Sequence, residues 1–103
     1  MIETFTRKRI DILVDAPLCP WLVETAKAAG IPHHSLLPVH SGEGRGGSWR
    51  DDDGYGAVPK RMFVAVSNEA KVADFMDRLA PKIETHGLVI TVYDVQVIRG
   101  ERF

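Results

Sequence analysis

His40-Ser41-Gly42-Glu43-Gly44-Arg45-Gly46-Gly47-Ser48-Trp49 is the centre of a longer stretch, Val39 to Lys60, around which the chain is organised. Six of the nine glycines lie there, at 42, 44, 46, 47, 54 and 56. Glycine costs conformational entropy and is used where backbone must bend or come close to a ligand. A stretch of about 20 residues without apolar periodicity, inside so short a chain, is uncommon unless it has a function or is disordered. It carries an embedded cation, Arg45, and an aromatic, Trp49, and strand candidates flank it on both sides. It reads as a ligand-sensing loop whose glycine-arginine base binds an anion. Trp49 has two readings, an anchor for a protein partner or a side chain packed back on the body.

Outward from the loop the pattern is regular. Ile10-Asp11-Ile12-Leu13-Val14 alternates as a half-buried strand does. Pro20 suits a first helical turn, Trp21 to Ala29 carries Leu22, Ala26 and Ala29 on one face, and Gly30 is placed to cap that helix. His34 to His40 is a second, Pro38-interrupted strand, and Arg61 to Val66 a third. Ser67 or Asn68 caps a second helix, Val72, Phe75, Met76 and Leu79 form its stripe, and Pro81 ends it. Gly87 closes a turn, and Leu88 to Ile98 is a long apolar strand, buried on both sides or partly at a subunit interface. The order β-α-β-(long loop)-β-α-β predicts an α+β, ferredoxin-like βαββαβ domain with an antiparallel sheet and both helices on one face. Eleven residues of apolar strand exceed what one such domain hides, so self-association through the sheet is expected.

The whole chain limits the function classes. Its 103 residues make a single domain over 1–103. A net charge of −1 gives no global basic field for nucleic acid or anionic lipid. No apolar run approaches the roughly 20 residues that span a bilayer, and the polar start lacks a signal-peptide core. The single Cys19 cannot pair internally, so a cytoplasmic location is expected, with Cys19 itself buried and inert. No nucleophile-base pair or carboxylate dyad appears at a useful spacing, so no enzymatic activity is expected. A metal site among His33, His34, His40 and His86 is not the expected reading: adjacent strand residues point to opposite faces, so His33 and His34 do not readily share one ion. Asp51-Asp52-Asp53 lacks the alternation and the downstream glutamate of a calcium loop and reads as a solvated tip. Arg7, Lys8 and Arg9 read as solvated lead-in charges.

The chain resembles the PII signalling family along nearly its whole length after residue 8. The matching points are Arg9-Ile10-Asp11, Ala29-Gly30-Ile31, Gly42-Glu43-Gly44-Arg45, Val58-Pro59-Lys60 and Val92-Tyr93-Asp94-Val95-Gln96-Val97-Ile98-Arg99, in family order and spacing. The resemblance implies a homotrimer with nucleotides in three clefts between subunits, and a T-loop at about residues 40–60 that meets an unidentified protein partner. It implies that Gly42, Glu43, Gly44 and Arg45 meet the phosphates and that Leu13 and Val66 line the base. Ser35 falls near a family threonine that contacts adenine. Gly87 and Leu88 stand in the phosphate-gripping B-loop region. Arg99, and Arg102 at a shifted spacing, match two arginines that reach phosphates from a neighbouring subunit.

The departures carry information as well. Gly46 stands where nitrogen-regulating members have a glutamine for Mg-ATP and 2-oxoglutarate, and Asp53 stands where enteric members have their modified tyrosine. The B-loop lysines are missing from Glu84-Thr85-His86-Gly87-Leu88. A triphosphate needs several cations or backbone donors, so AMP or ADP is favoured over ATP. These features are most similar to the carboxysome-associated branch, which implies adenine nucleotide coupled to bicarbonate. Arg45 and the backbone of Gly44, Gly46 and Gly47 are chemically apt for that small planar anion. The alternatives are a metal-binding tolerance protein of the same fold or a nitrogen-regulating PII protein.

Overall fold

A computed structural model describes residues 1–50 and 58–103. Strand β1 runs Phe5–Asp15 and helix α1 Cys19–Ala28. β2 is Ser35–Val39, and β3 (Ser41–Gly44) and β4 (Gly47–Arg50) follow. β5 is Lys60–Ser67, α2 Glu69–Leu79 and β6 Val89–Val97. One antiparallel sheet is ordered β2-β5-β1-β6, and β3 and β4 form a separate two-stranded ribbon. The expected ferredoxin-like arrangement is therefore present, with the ribbon added.

β1 is the central strand because its alternation serves both neighbours. Ile10, Ile12 and Val14 are at most 1% exposed and face the helices. Across the ladder they meet Ala65, Phe63 and Arg61 on β5 and, for Ile10 and Ile12, Val92 and Ile90 on β6. Leu22 and Ala26 of α1 and Val72, Phe75 and Leu79 of α2 complete this core. Phe63 lies 5.7 Å from Phe75, tilted by 59°, and His34 stacks on the same Phe63 at 5.3 Å and 13°. That histidine is spent on packing. His86 likewise meets Trp21 edge-on at 4.9 Å.

The helix ends follow their residues. Gly30 takes φ +87°, Gly30 N–H donates to Lys27 O and Ile31 N–H to Ala26 O, both at 2.9 Å. This is a Schellman cap, sealed by buried Ile31. Asn68 caps α2 by accepting from Lys71 N–H at 2.9 Å. Pro81 converts the end of α2 into a single 3-10 turn at Ala80–Lys82. Cys19 is buried, and burial raises its thiol pKa, with Arg61 pulling less strongly the other way.

Three expectations change. β1 begins at Phe5, five residues before the apolar alternation, so Arg7, Lys8 and Arg9 are strand residues rather than solvated lead-in. Lys8 pairs with Asp94 at 2.6 Å and Arg9 with Asp11 at 2.9 Å. β6 is an edge strand and not buried on both sides: Val89 is 58% and Tyr93 41% exposed. The base of the long loop is not irregular. Gly42 pairs with Trp49, Glu43 with Ser48 and Gly44 with Gly47, leaving Arg45-Gly46 as the turn. Gly47 at φ +114° supplies the left-handed residue that lets it close. The acidic tip, Asp51 to Gly56, lies outside the described residues.

Trp49 turns back on its own ribbon. A β-carbon at Gly42 would collide with the indole, so Gly42 is the socket for the ring. Lys60 Nζ stands 5.2 Å from the ring centroid while binding Asp15 Oδ1 at 2.6 Å. The indole Nε1 is buried without a partner among the described residues. Gly42→Ala is therefore expected to dislodge the ring. In a Trp21→Phe background this appears as a red-shifted, solvent-exposed Trp49 emission, and an unshifted spectrum contradicts the contact. In the core, Phe75→Ala is expected to cost about 3–5 kcal/mol, read from the urea midpoint at unchanged m-value.

Candidate functional site

The residues expected to bind ligand fall into two separate concavities. The first, of about 1150 Å³, lies between the ribbon, the C-terminal end of β1 and the turn before β6. It gathers Leu13, Glu43, Gly44, Arg45, Gly46, Gly47, Gly87 and Leu88. The second, of about 640 Å³, lies beside β2, the far end of β5 and the chain after β6, and gathers Ser35, Val66, Arg99 and Arg102. The lining residues of the two do not overlap. Gly42 lines neither and instead holds Trp49.

Register explains the division. Leu13 is opposite Met62, whereas Val66 is opposite Arg9. Four residues of strand separate the two levels, about 13 Å at 3.3 Å per residue. The phosphate-type donors in the first concavity are backbone at a glycine turn plus one guanidinium. Those in the second are the guanidinium groups of Arg99, just before the short turn Gly100–Arg102, and of Arg102 within it.

Sequence reasoning missed several neighbours. Lys60 and Asp15 line the first concavity as an ion pair, with Trp49 over the lysine. Their contribution depends on β1 and β5 being adjacent, with Asp15 opposite Lys60, which no local motif signals. Lys71 lines the second, its alkyl stem lying 3.4 Å from the position of a β-carbon on Gly30. Buried Ser67 and exposed His33 also reach it.

Charge is distributed unevenly. Lys8, Arg9, Lys60 and Arg78 are each paired to a carboxylate. Arg45, Lys71, Arg99 and Arg102 have no ion-pair or hydrogen-bond partner for their side chains among the described residues. The Lys8 and Arg9 pairs lie on the sheet, Lys60–Asp15 at the first concavity and Arg78–Asp74 on α2, while Arg45 borders the first concavity and Lys71, Arg99 and Arg102 the second. The central network is Arg9-Asp11-Tyr93: Tyr93 OH donates to Asp11 Oδ2 at 2.9 Å, and the Arg9 guanidinium lies 5.7 Å from the Tyr93 ring centroid. Loss of hydration, then the bond to Asp11, pushes the Tyr93 hydroxyl above its ordinary pKa; the same carboxylate raises that of Arg9.

Among the described residues, no group of three or more His, Cys, Asp or Glu is placed to hold a metal ion. No helix there is long and apolar enough to cross a membrane.

Known proteins share this fold. CPII of Thiomonas intermedia K12, a nitrogen regulatory PII-like protein solved with ADP, AMP and bicarbonate, superposes with a TM-score of 0.90 at 22% identity, covering 100% of this chain and 98% of CPII. A PII-like signaling protein of Thermus thermophilus, TTHA0516, follows at 0.82 and 20% identity, covering 99% of each chain. Bacillus subtilis GlnK, in complex with ATP, is more distant at 0.62 and 13% identity, with 87% of this chain and 82% of GlnK covered. No curated protein sequence matches. These likenesses establish the fold, and the family model described as Nitrogen regulatory protein P-II matches residues 7–102. With β1, the ribbon, β5 and β6 falling almost wholly inside that span, the chain belongs to the P-II family.

Proposed function

We propose that this chain is a regulatory rather than catalytic protein, a homotrimer that binds AMP or ADP in preference to ATP in its intersubunit clefts. Bicarbonate joins the nucleotide at Arg45 and the Gly44 to Gly47 turn. Occupancy is reported through the T-loop to a protein partner in inorganic carbon metabolism, as in the carboxysome-associated branch.

The observation that carries this reading is the division of the expected ligand residues between two concavities that share no lining residue. Leu13, Glu43, Gly44, Arg45, Gly87 and Leu88 supply one half, and Ser35, Val66, Arg99 and Arg102 the other. A single chain cannot close both halves on one ligand; a second copy can present its arginine turn to the first copy's ribbon. The sheet supports such docking. Its face away from the helices carries Leu37, 47% exposed, with Tyr93 and Val89 similarly bare. A face of this kind is stabilised by burial against another copy.

The ligand preference rests on charge. Between α2 and β6 the only cation that is not a histidine is Lys82, which lines neither concavity. A third phosphate would find few donors. CPII, the relative with a TM-score of 0.90, was solved with ADP, AMP and bicarbonate together.

The signalling step is a population shift, which only differential contacts can drive. The ribbon at residues 41–50 already folds on itself and is held by Trp49. Ligand therefore acts through Arg45 on the chain beyond that ribbon and on the partner surface shown there.

Calorimetric titration of AMP, ADP, ATP and 2-oxoglutarate, each with and without bicarbonate, tests the reading. AMP and ADP are expected to bind at least about tenfold more tightly than ATP (about 1.4 kcal/mol), and bicarbonate to tighten them further. Arg45→Ala is expected to remove the bicarbonate effect and weaken nucleotide by about 1.5–3 kcal/mol, with a trimer mass retained by light scattering. A monomer in solution, or adenylate affinity indifferent to Arg45, overturns it.

A further inference from the structure

The chain after β6 adopts an unfavourable backbone and is held there from a distance. Arg99 has φ +63° and ψ +56°, a left-handed conformation, and it is the one non-glycine residue with positive φ among those described. Side chains rarely adopt that region, and it persists where the surroundings over-determine it. Gly100 follows, buried, with the position of a β-carbon only 2.5 Å from Phe5 Cγ. Phe5 itself sits opposite buried Val97 at the start of β1.

Arg7 completes the arrangement. Its Nη2 donates to the carbonyl of Gly100 at 3.0 Å, its Nε to the main-chain oxygen of Phe103 at 3.3 Å, and its Nη1 to the carbonyl of Thr6 at 2.9 Å. The guanidinium carbon lies 5.8 Å from the Phe5 ring centroid. Among the described residues no side-chain carboxylate pairs with it, and all its observed hydrogen bonds go to main-chain oxygens. A planar fork can bridge two carbonyls in fixed geometry, which a lysine ammonium cannot. Arg7 lines neither concavity, whereas Arg99 and Arg102, on the turn it grips, both line the second.

We propose that Arg7 is a positioning residue for phosphate binding: with Phe5 packed on Gly100, it locks the 99–103 turn in the conformation that brings both Arg99 and Arg102 to the concavity beside Ser35 and Val66. The ligand class is the phosphate of a nucleotide, so the inference rests on the function proposed above. Arg7 acts through geometry. Its charge is not what the ligand meets.

The test is ADP titration of the full chain, Arg7→Lys, Gly100→Ala and the double variant Arg99→Ala/Arg102→Ala, each with its melting temperature, mass and salt dependence. Arg7→Lys keeps the charge and loses the fork. It is expected to weaken ADP by about tenfold and to flatten the salt dependence of binding toward that of the double variant, with the mass unchanged. A purely structural role would lower the melting temperature and leave the salt dependence alone. Gly100→Ala, which displaces Phe5, is expected to do the same as Arg7→Lys and carries the test if that variant does not fold. Wild-type affinity in both single variants, with loss in the double variant, overturns the positioning role and leaves the cleft reading standing. Wild-type affinity in the double variant overturns both.

Discussion

Every placement in this molecule depends on the period-2 alternation of β1 between two antiparallel neighbours. Ile10, Ile12 and Val14 point to the helices, and Arg9, Asp11, Leu13 and Asp15 point away. A slip of one residue would exchange the two sets, burying two carboxylates in the core and exposing three aliphatic side chains. Because β5 and β6 both take their register from β1, the same constraint sets Lys60 opposite Asp15 and Tyr93 opposite Arg9. The ion pair under Trp49 and the Arg9-Asp11-Tyr93 network are consequences of strand register, not independent inventions.

The strands and helices were legible because their signals are local. The alternation at residues 10–14, the stripe at Val72, Phe75 and Leu79, the Gly30 and Asn68 caps and the Pro81 stop each act over a few residues, and each element appears where its residues put it. What could not be read was set by partners distant in sequence. The five residues Phe5 to Arg9 lack a clean apolar alternation; they join β1 because Val97, Gln96, Val95, Asp94 and Tyr93 supply the ladder. The 41–50 ribbon escaped notice because its glycines erase the side-chain pattern by which strands are recognised. Its register is supplied by the Gly47 turn and by the fit of an indole over Gly42, neither of which has a periodicity to detect.

The candidate site shows the same split. Individual candidates around Arg45 and Arg99 come from the resemblance, yet their separation into two concavities does not, since it depends on which end of the sheet each reaches. Lys60 is instructive. Its position after Val58-Pro59 is readable, but in the folded chain its ammonium is already engaged by Asp15 and covered by Trp49. A ligand that used this lysine would have to replace a 2.6 Å ion pair with something at least as favourable. Arg45 faces no such competition among the described residues, which is why anion binding is assigned to the turn and not to the lysine beneath it.

That contrast extends to how the protein manages its own charge. A half-exposed ion pair contributes little to stability, about 0–1 kcal/mol, so pairing Lys8, Arg9 and Lys60 does not explain why the sheet holds together. It does remove their fields from the surface. With those cations paired, the unpaired cations that line the concavities are Arg45 at one and Lys71, Arg99 and Arg102 at the other. At the second concavity Lys71, Arg99 and Arg102 outnumber Glu101, and like charges held together repel one another until an anion arrives. On the function proposed above, the free energy of anion binding there would be available to draw that end toward the ribbon of another copy. A chain with net charge −1 can in this way carry one cation-rich concavity, beside a first in which Asp15, Glu43 and Glu84 offset Arg45 and Lys60.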